Sequence, residues 1–305
     1  CWTGISSAQM MTVDVKELTM QNTLATSPIQ AETSVRSWAL RPAANLWTKR
    51  ASALESTATL YSPISLKEMD SVALMDRIDT KYVLSFQQLV NTLQALESDY
   101  RILTIHGRRL MHYRTLYFDT PEFALYTLHI DNRAERYKVR SREYVDSNIS
   151  FLEVKQRTRK NRTVKQRIPT ASQVLQLNTK NSQWLQEVFP YGCACLEPKL
   201  ANSFTRITLV NLERSERVTL DMDLTFSSDH RMRKLEGVCV AEVKMNAQNH
   251  TSPFASYMHT CHIRPMGFSK YCMGVSMLYE QVKKNPLKRK MLQVSKIEEG
   301  IYCYE

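Results

Sequence analysis

Between residues 74 and 244 apolar and polar side chains alternate in short runs, the period of strands that turn one face toward a core. The alternation predicts strands at Leu74–Leu84, Arg114–Phe118, Glu135–Tyr144, Ser150–Gln156, Thr163–Ile168, Ser203–Asn211, Arg217–Met222 and Val238–Lys244. Helical spacing interrupts this rhythm. Ser85, a good N-cap, opens a run that puts Leu89, Leu93 and Leu96 on one side. A polar helical stretch is expected over Ala171–Val188, and an amphipathic helix from Ser269 to Lys284 closes the series. Mostly antiparallel strands with covering helices make an α+β fold, an antiparallel β-barrel whose interior is either packed or lined for a ligand.

In several of these strands the polar position is a cation. Lys138, Arg140 and Arg142 alternate with Tyr137, Val139 and Ser141, so the three cations share a face. Glu153, Lys155 and Arg157 repeat the device, and Lys165 and Arg167 add a third run. For one strand alone, a solvated outer face is the ordinary reading. When neighbouring strands carry mostly one sign, like charges meet across the ladder and repel, so the pattern asks for an anion. The formal charge of +11 over 305 residues suits a phosphate-rich partner, whether nucleotide, nucleic acid, inorganic polymer or anionic membrane, without choosing among them.

The 43% hydrophobic content is enough for a sizeable core. Residues 1–60, rich in Ser, Thr, Ala and Gln, are expected to be a disordered or extension leader, with an organellar transit peptide as the alternative. The folded domain is expected over 61–284 and a basic tail over 285–305. Seven cysteines without paired CxxC spacing argue against a disulfide scaffold or a structural zinc, and point to a reducing, cytoplasmic setting. No run approaches the length of a membrane span. The histidines are scattered and none reads as catalytic, while Met258, Met266, Met273 and Met277 read as core filler.

The segments DRIDTKYVL, YRTLYFDTPEFALY, KVRSREY, FLEVKQR, LEPKLANSFTRITL, RVTLDMDLTF, AEVKM and GFSKYCMG follow one another in a specific order. In that order the chain resembles the VTC domain of polyphosphate polymerases, a member of the triphosphate tunnel metalloenzyme, or CYTH-like, superfamily, from about Leu66 to Tyr279. The resemblance implies a barrel that forms a basic tunnel, holding a nucleoside triphosphate or polyphosphate while a divalent metal, manganese or magnesium, bridges phosphate oxygens. It assigns Arg77 and Lys81 to the first wall, Arg140 and Arg142 to the paired-arginine strand, and Lys155 to the next. Lys165 or Arg167 follows, then Arg206, and Lys270 on the closing helix. Lys138 joins the row as a phosphate contact. Ser269 and Lys270 begin the last helix, where backbone N–H groups favour an anion. Glu242 is the first choice as metal ligand and Glu153 the second, because a hard divalent ion needs a carboxylate besides phosphate oxygens. Asp221 and Asp223 have ligand-like spacing but equally suit a strand-end turn. The chain departs from its relatives at Phe204, where a tyrosine is frequent, and it lacks the ExExK first strand of simple tunnel phosphatases.

The activity implied is transfer of the terminal phosphate of ATP to a polyphosphate chain, with Arg140, Arg142, Lys155, Arg206 and Lys270 as the catalytic cations. The alternatives are hydrolysis of tripolyphosphate or a nucleoside triphosphate, and a non-catalytic polyphosphate-binding module. ATP and polyphosphate are the expected partners. Nucleic acid is not expected, since Tyr137, Tyr144 and Phe151 sit within the strand pattern instead of forming a stacking platform. With no span of its own, any passage of product across a membrane would need a membrane partner.

Overall fold

The strand rhythm becomes eleven β-strands in a computed structural model that describes residues 47–70, 77–160, 162–192, 195–246 and 251–300. They are β1 (Pro63–Ile64), β2 (Arg77–Ser85), β3 (Arg101–Leu103), β4 (Met111–Asp119), β5 (Arg136–Tyr144), β6 (Ile149–Arg157), β7 (Thr163–Thr170), β8 (Glu197–Asn211), β9 (Glu216–Ser227), β10 (Met232–Lys234) and β11 (Val238–Asn246). The helices are α1 (Trp47–Thr59), α2 (Leu66–Asp70), α3 (Phe86–Ala95), α4 (Ala124–Ile130), α5 (Thr179–Val188), α6 (Pro253–Thr260), α7 (Lys270–Leu278) and α8 (Lys288–Glu298). One sheet holds the strands in the order β2-β11-β9-β8-β4-β5-β6-β7, with β1, β3 and β10 at its margins. Every pairing along that path is antiparallel.

The two ends of the path, β2 and β7, are not hydrogen-bonded to each other. The two sides nevertheless approach one another, because Lys138 on β5 and Lys81 on β2 reach adjacent residues at the start of α7, at Ser269 Oγ (3.0 Å) and the Phe268 carbonyl (3.4 Å). The sheet thus wraps a channel without closing its hydrogen-bonded ring. Alternation sends one set of side chains into the channel and the other outward. Outside, α1, α3 and α6 press Leu54, Leu93 and Phe254 onto Tyr82, Leu84 and Ile207. Farther round, α5 covers Leu116, Val139 and Leu152 with Leu185. Inside, α7 and α8 fill part of the curl, packing Met273, Val275 and Val294 against Val83, Leu200 and Phe226.

The helix expected after Ser85 forms with a capping box, in which the Gln88 N–H donates to Ser85 Oγ and the Ser85 N–H to Gln88 Oε1, 3.1 and 2.9 Å. α5 begins later than the expected Ala171, at Thr179, where Asn178 supplies the cap by accepting the Asn181 N–H. The closing helix stops at Leu278, before the expected Lys284, as Tyr279 turns extended and its hydroxyl donates to the Lys199 carbonyl. Buried packing extends past both expected domain boundaries. Leu54 and Ala58 of α1 are buried beside Tyr61, and Val294 of α8 is buried while Glu298 pairs with Arg233 at 2.7 Å. Residues 1–46 and the end of the basic tail, 301–305, lie outside the described residues, as do residues 74–76 of the expected first strand. No helix among the described residues is long and apolar enough to cross a membrane.

Candidate functional site

The strands β5, β6 and β7 build one wall of the channel, and their register decides what meets on it. Lys138 lies directly opposite Lys155, and Lys155 opposite Lys165. One step along, Arg140 faces Glu153 and Glu153 faces Arg167; beyond that, Arg142 faces Phe151. Glu153 is fully buried, takes Arg140 Nη2 at 2.6 Å and Nε at 2.7 Å, and pairs with Lys165. Burial would raise its carboxyl, but Arg140, Arg142 and Lys165 outweigh that and hold it at about 2. Arg142 is nearly buried, its Nε donating to Thr115 Oγ1 at 3.2 Å and its guanidinium lying 5.8 Å from the Tyr113 and Phe204 ring centroids. Arg167 lies over the Phe151 ring at 4.3 Å.

The opposite wall comes from β8, β9, β11 and β2. Arg206 forks onto Asp221, with Nε to Oδ1 at 2.5 Å and Nη2 to Oδ2 at 2.8 Å. Lys270, from the first turn of α7, also reaches Asp221 and stands 4.4 Å from the Phe204 ring centroid. Glu242 lies directly opposite Lys81, bonds it at 3.1 Å, and pairs with Lys244 on its own strand. The start of α7 ties the two walls together. Lys138 Nζ donates to Ser269 Oγ at 3.0 Å, Lys81 Nζ to the Phe268 carbonyl at 3.4 Å, and the Met266 N–H to the Lys81 carbonyl at 2.8 Å. Ser269 is the α7 N-cap, and its hydroxyl accepts the Cys272 N–H at 3.2 Å.

This crowding of cations sets the electrostatics. Loss of water around its ammonium, then the charges of Lys138, Lys81 and Arg140, push Lys155 down to about 7, although its side chain reaches solvent. Burial, then Arg140 and Arg142 against the opposing pull of Glu153, lower Lys165 to about 8. Burial and Arg206, against Asp221, lower Lys270 to about 8. Burial likewise lowers Lys138 and Lys244. Burial would raise the Tyr117 hydroxyl, but Arg140, Arg142, Lys138 and Lys270 together lower it. The carboxylates of Asp221 and Glu242 are held well below their ordinary range by Arg206 with Lys270, and by Lys81 with Lys244, against burial.

Of the residues singled out from sequence, Lys81, Lys138, Arg140, Arg142, Glu153, Lys155, Lys165, Arg167, Arg206, Glu242 and Lys270 come together on the channel walls, with Ser269 at the helix that enters it. Arg77 shares the face of Lys81 but stands at the exposed start of β2, bonded to Asp79 at 3.0 Å. Two contributors were left out of the set and a third was given another role. Lys244 stands two residues from Glu242 and therefore on its face, Tyr117 follows Tyr113 and Thr115 along the inner face of β4, and Asp221, offered by its spacing as a metal ligand or a turn residue, instead anchors Arg206. The alternation that located Arg140 could have located all three. Neither Asp221 nor Asp223 lies at a strand-end turn: β9 runs on to Ser227, and Asp223, with a positive φ of 54°, sits at the irregular register between β8 and β9.

Among the described residues no group of three or more acids, histidines or cysteines gathers to hold a metal. The channel carboxylates sit apart, each with two cations. Glu153 is sealed between Arg140 and Lys165, whereas Glu242 keeps a side chain 19% exposed to the channel. Glu242, the more open of these two, is the carboxylate that could take a hard ion; the ion would have to displace Lys81 or Lys244 from its oxygens and draw its other ligands from a bound phosphate chain.

A curled antiparallel sheet with cations on facing walls and a helix start between them defines a tunnel protein built to hold an anion. A family model, the VTC domain, matches residues 76–279, and the chain belongs to that family. Among solved structures it is similar to a putative adenylyl cyclase from Hippeastrum described as having a dominant triphosphatase activity, at 14% identity, TM-score 0.41, covering 71% of this chain and 96% of that one. It is also similar to a putative adenylate cyclase from Bacillus halodurans, at 16% identity, TM-score 0.40, covering 67% of this chain and 98% of that one. No curated protein matches the chain.

Proposed function

We propose that the channel is a polyphosphate polymerase site, which passes the terminal phosphate of ATP to a polyphosphate chain lying between the walls and releases ADP. The observation that carries this reading is the row Lys138–Lys155–Lys165, three cations directly opposed on adjacent strands of a VTC-family channel, where Glu153 pairs with Lys165 and the row stays net positive. Such a row is repulsive in an empty channel and becomes attractive around a polyanion.

Transfer between phosphates needs no protein nucleophile, because it is mostly positioning and charge stabilisation along an in-line displacement. The guanidinium forks of Arg140, Arg142 and Arg206 match pairs of phosphate oxygens. Glu153 and Asp221 hold two of those forks in place before substrate arrives, which limits reorganisation during transfer. Lys155, Lys165 and Lys270 supply charge that moves with the phosphoryl group. A divalent ion, manganese or magnesium, taken up by Glu242 would neutralise charge between neighbouring phosphates.

The test is ADP release from ATP with manganese, run beside a gel that resolves long polyphosphate. Wild type is expected to give both ADP and polymer, and Arg140→Ala or Arg142→Ala to lose about 10²–10³-fold in rate, the size of loss seen when one preorganised charge donor is removed. Phosphate without polymer replaces the polymerase with a hydrolase. Binding without any turnover replaces it with a non-catalytic module.

A further inference from the structure

The cation row does not end at the channel. Past Lys138, Lys155 and Lys165, the next residues on the same face are Arg136 on β5 and Arg157 on β6, again directly opposite each other, with Thr163 of β7 beside Arg157. Burial, then the Arg157 charge, lowers the Arg136 guanidinium. The β6–β7 hairpin then turns at Thr158, whose N–H donates to the Arg162 carbonyl at 2.8 Å. Around that turn stand Arg159, Lys160 and Arg162, all exposed, with the Arg159 side chain 83% open to solvent. Among the described residues Arg159 pairs with Glu135 at 3.4 Å, a carboxylate already engaged by Gln156 Nε2 at 2.7 Å and the Tyr137 hydroxyl at 3.0 Å. Two consecutive like-charged rungs leading to a three-cation tip form one track, which spans roughly 13 Å from Lys155 to Arg159 at the rise of a strand.

We propose that this hairpin is a second anion subsite, a ramp that takes the part of a phosphate chain too long for the channel. Its ligand class is an extended inorganic polyphosphate, and the proposal rests on the channel itself holding a phosphate chain. The ramp discriminates by length: a tripolyphosphate ends inside the channel, whereas a chain of tens of phosphates runs on over Arg136, Arg157 and the tip. Nucleic acid fits the ramp less well, because residues 157–163 include no aromatic side chain on which a base could stack. The tip contributes no packing to the buried cores, so its charge can be changed without emptying the fold.

The full chain and its Arg159→Glu/Lys160→Glu/Arg162→Glu variant would be titrated with tripolyphosphate, with a polyphosphate of about a hundred units, and with a single-stranded oligothymidylate, each across a salt series. The variant is expected to lose about tenfold or more of its long-chain affinity, with a shallower salt slope, and to bind tripolyphosphate within about twofold of wild type. The neutral Arg159→Gln/Lys160→Gln/Arg162→Gln variant should fall between. Equal losses for short and long chains, or no loss for the long one, overturn the ramp, as does a loss confined to oligothymidylate. A wild type that binds the long chain but not tripolyphosphate overturns the channel reading instead, and the long-chain loss in the variant still decides the ramp.

Discussion

Lys155 is the residue on which the chemistry of the channel is most exposed to pH. Its ammonium is depressed to about 7, and Lys165 and Lys270 to about 8, whereas an unfolded lysine titrates near 10.4. Between pH 7.5 and 9 the unfolded chain therefore binds more protons than the folded one, so the stability of the ligand-free protein rises with pH across that window. His129, pushed down to about 2 by burial and Lys138, is neutral throughout and adds nothing there. Binding of a phosphate chain favours the charged lysines, so tripolyphosphate should take up protons as it binds and bind more weakly as pH rises. Lys155→Arg, which stays charged, should reduce that proton uptake, read by calorimetry at pH 7.5 in two buffers of different ionisation enthalpy. Equal uptake in both proteins would remove Lys155 from the titrating set. At this scale much was legible, since period-two spacing places Arg140 with Arg142, Glu153 with Lys155, and Lys165 with Arg167 on one face of their own strands. Which acid neutralises which cation was not, because Arg206–Asp221 and Lys81–Glu242 depend on register between strands distant in sequence.

Among the elements, α7 has to be placed most accurately, as its first turn carries Lys270 and its cap receives Lys138. Two features hold it. The Tyr271 hydroxyl donates to Asp119, a buried carboxylate that also accepts the N–H groups of Thr120, Leu125 and Tyr126. Gly274 lets the helix lie close to the sheet, where a Cβ would come within 2.6 Å of Leu200 and 2.7 Å of Phe226. Tyr271→Phe should destabilise the fold by about 1–3 kcal/mol by leaving Asp119 one donor short. Gly274→Val should cost about 1–3 kcal/mol through overpacking and move Lys270 off Asp221. Both are measurable by urea unfolding beside the ADP assay, and a Gly274→Val protein with wild-type stability and rate would show that α7 tolerates displacement. The start of α7 could be read from Ser269 as an N-cap, but not its position inside the sheet. α4 was missed because its seven residues are too few to display a helical period, and α8 because its charge, Lys288, Arg289, Lys290 and Lys296, disguised the buried face around Val294.

On the scale of the whole molecule, the channel is a set of facing like charges held by buried apolar layers, so occupancy and stability are linked. No cluster of acids among the described residues needs an ion for folding, and every channel carboxylate already has cations of its own. Chelator alone should therefore leave the melting temperature where it is while abolishing phosphoryl transfer. Tripolyphosphate behaves differently, because it binds the folded walls and not the unfolded chain. At a hundredfold excess over its dissociation constant it stabilises by about 2.7 kcal/mol, which for a domain of this size raises the melting temperature by roughly 5–10 °C. High salt should shrink that shift by screening the walls. A melting temperature that drops with chelator and returns with manganese would mean that the metal is part of the fold, and that Glu242 holds it before any phosphate arrives.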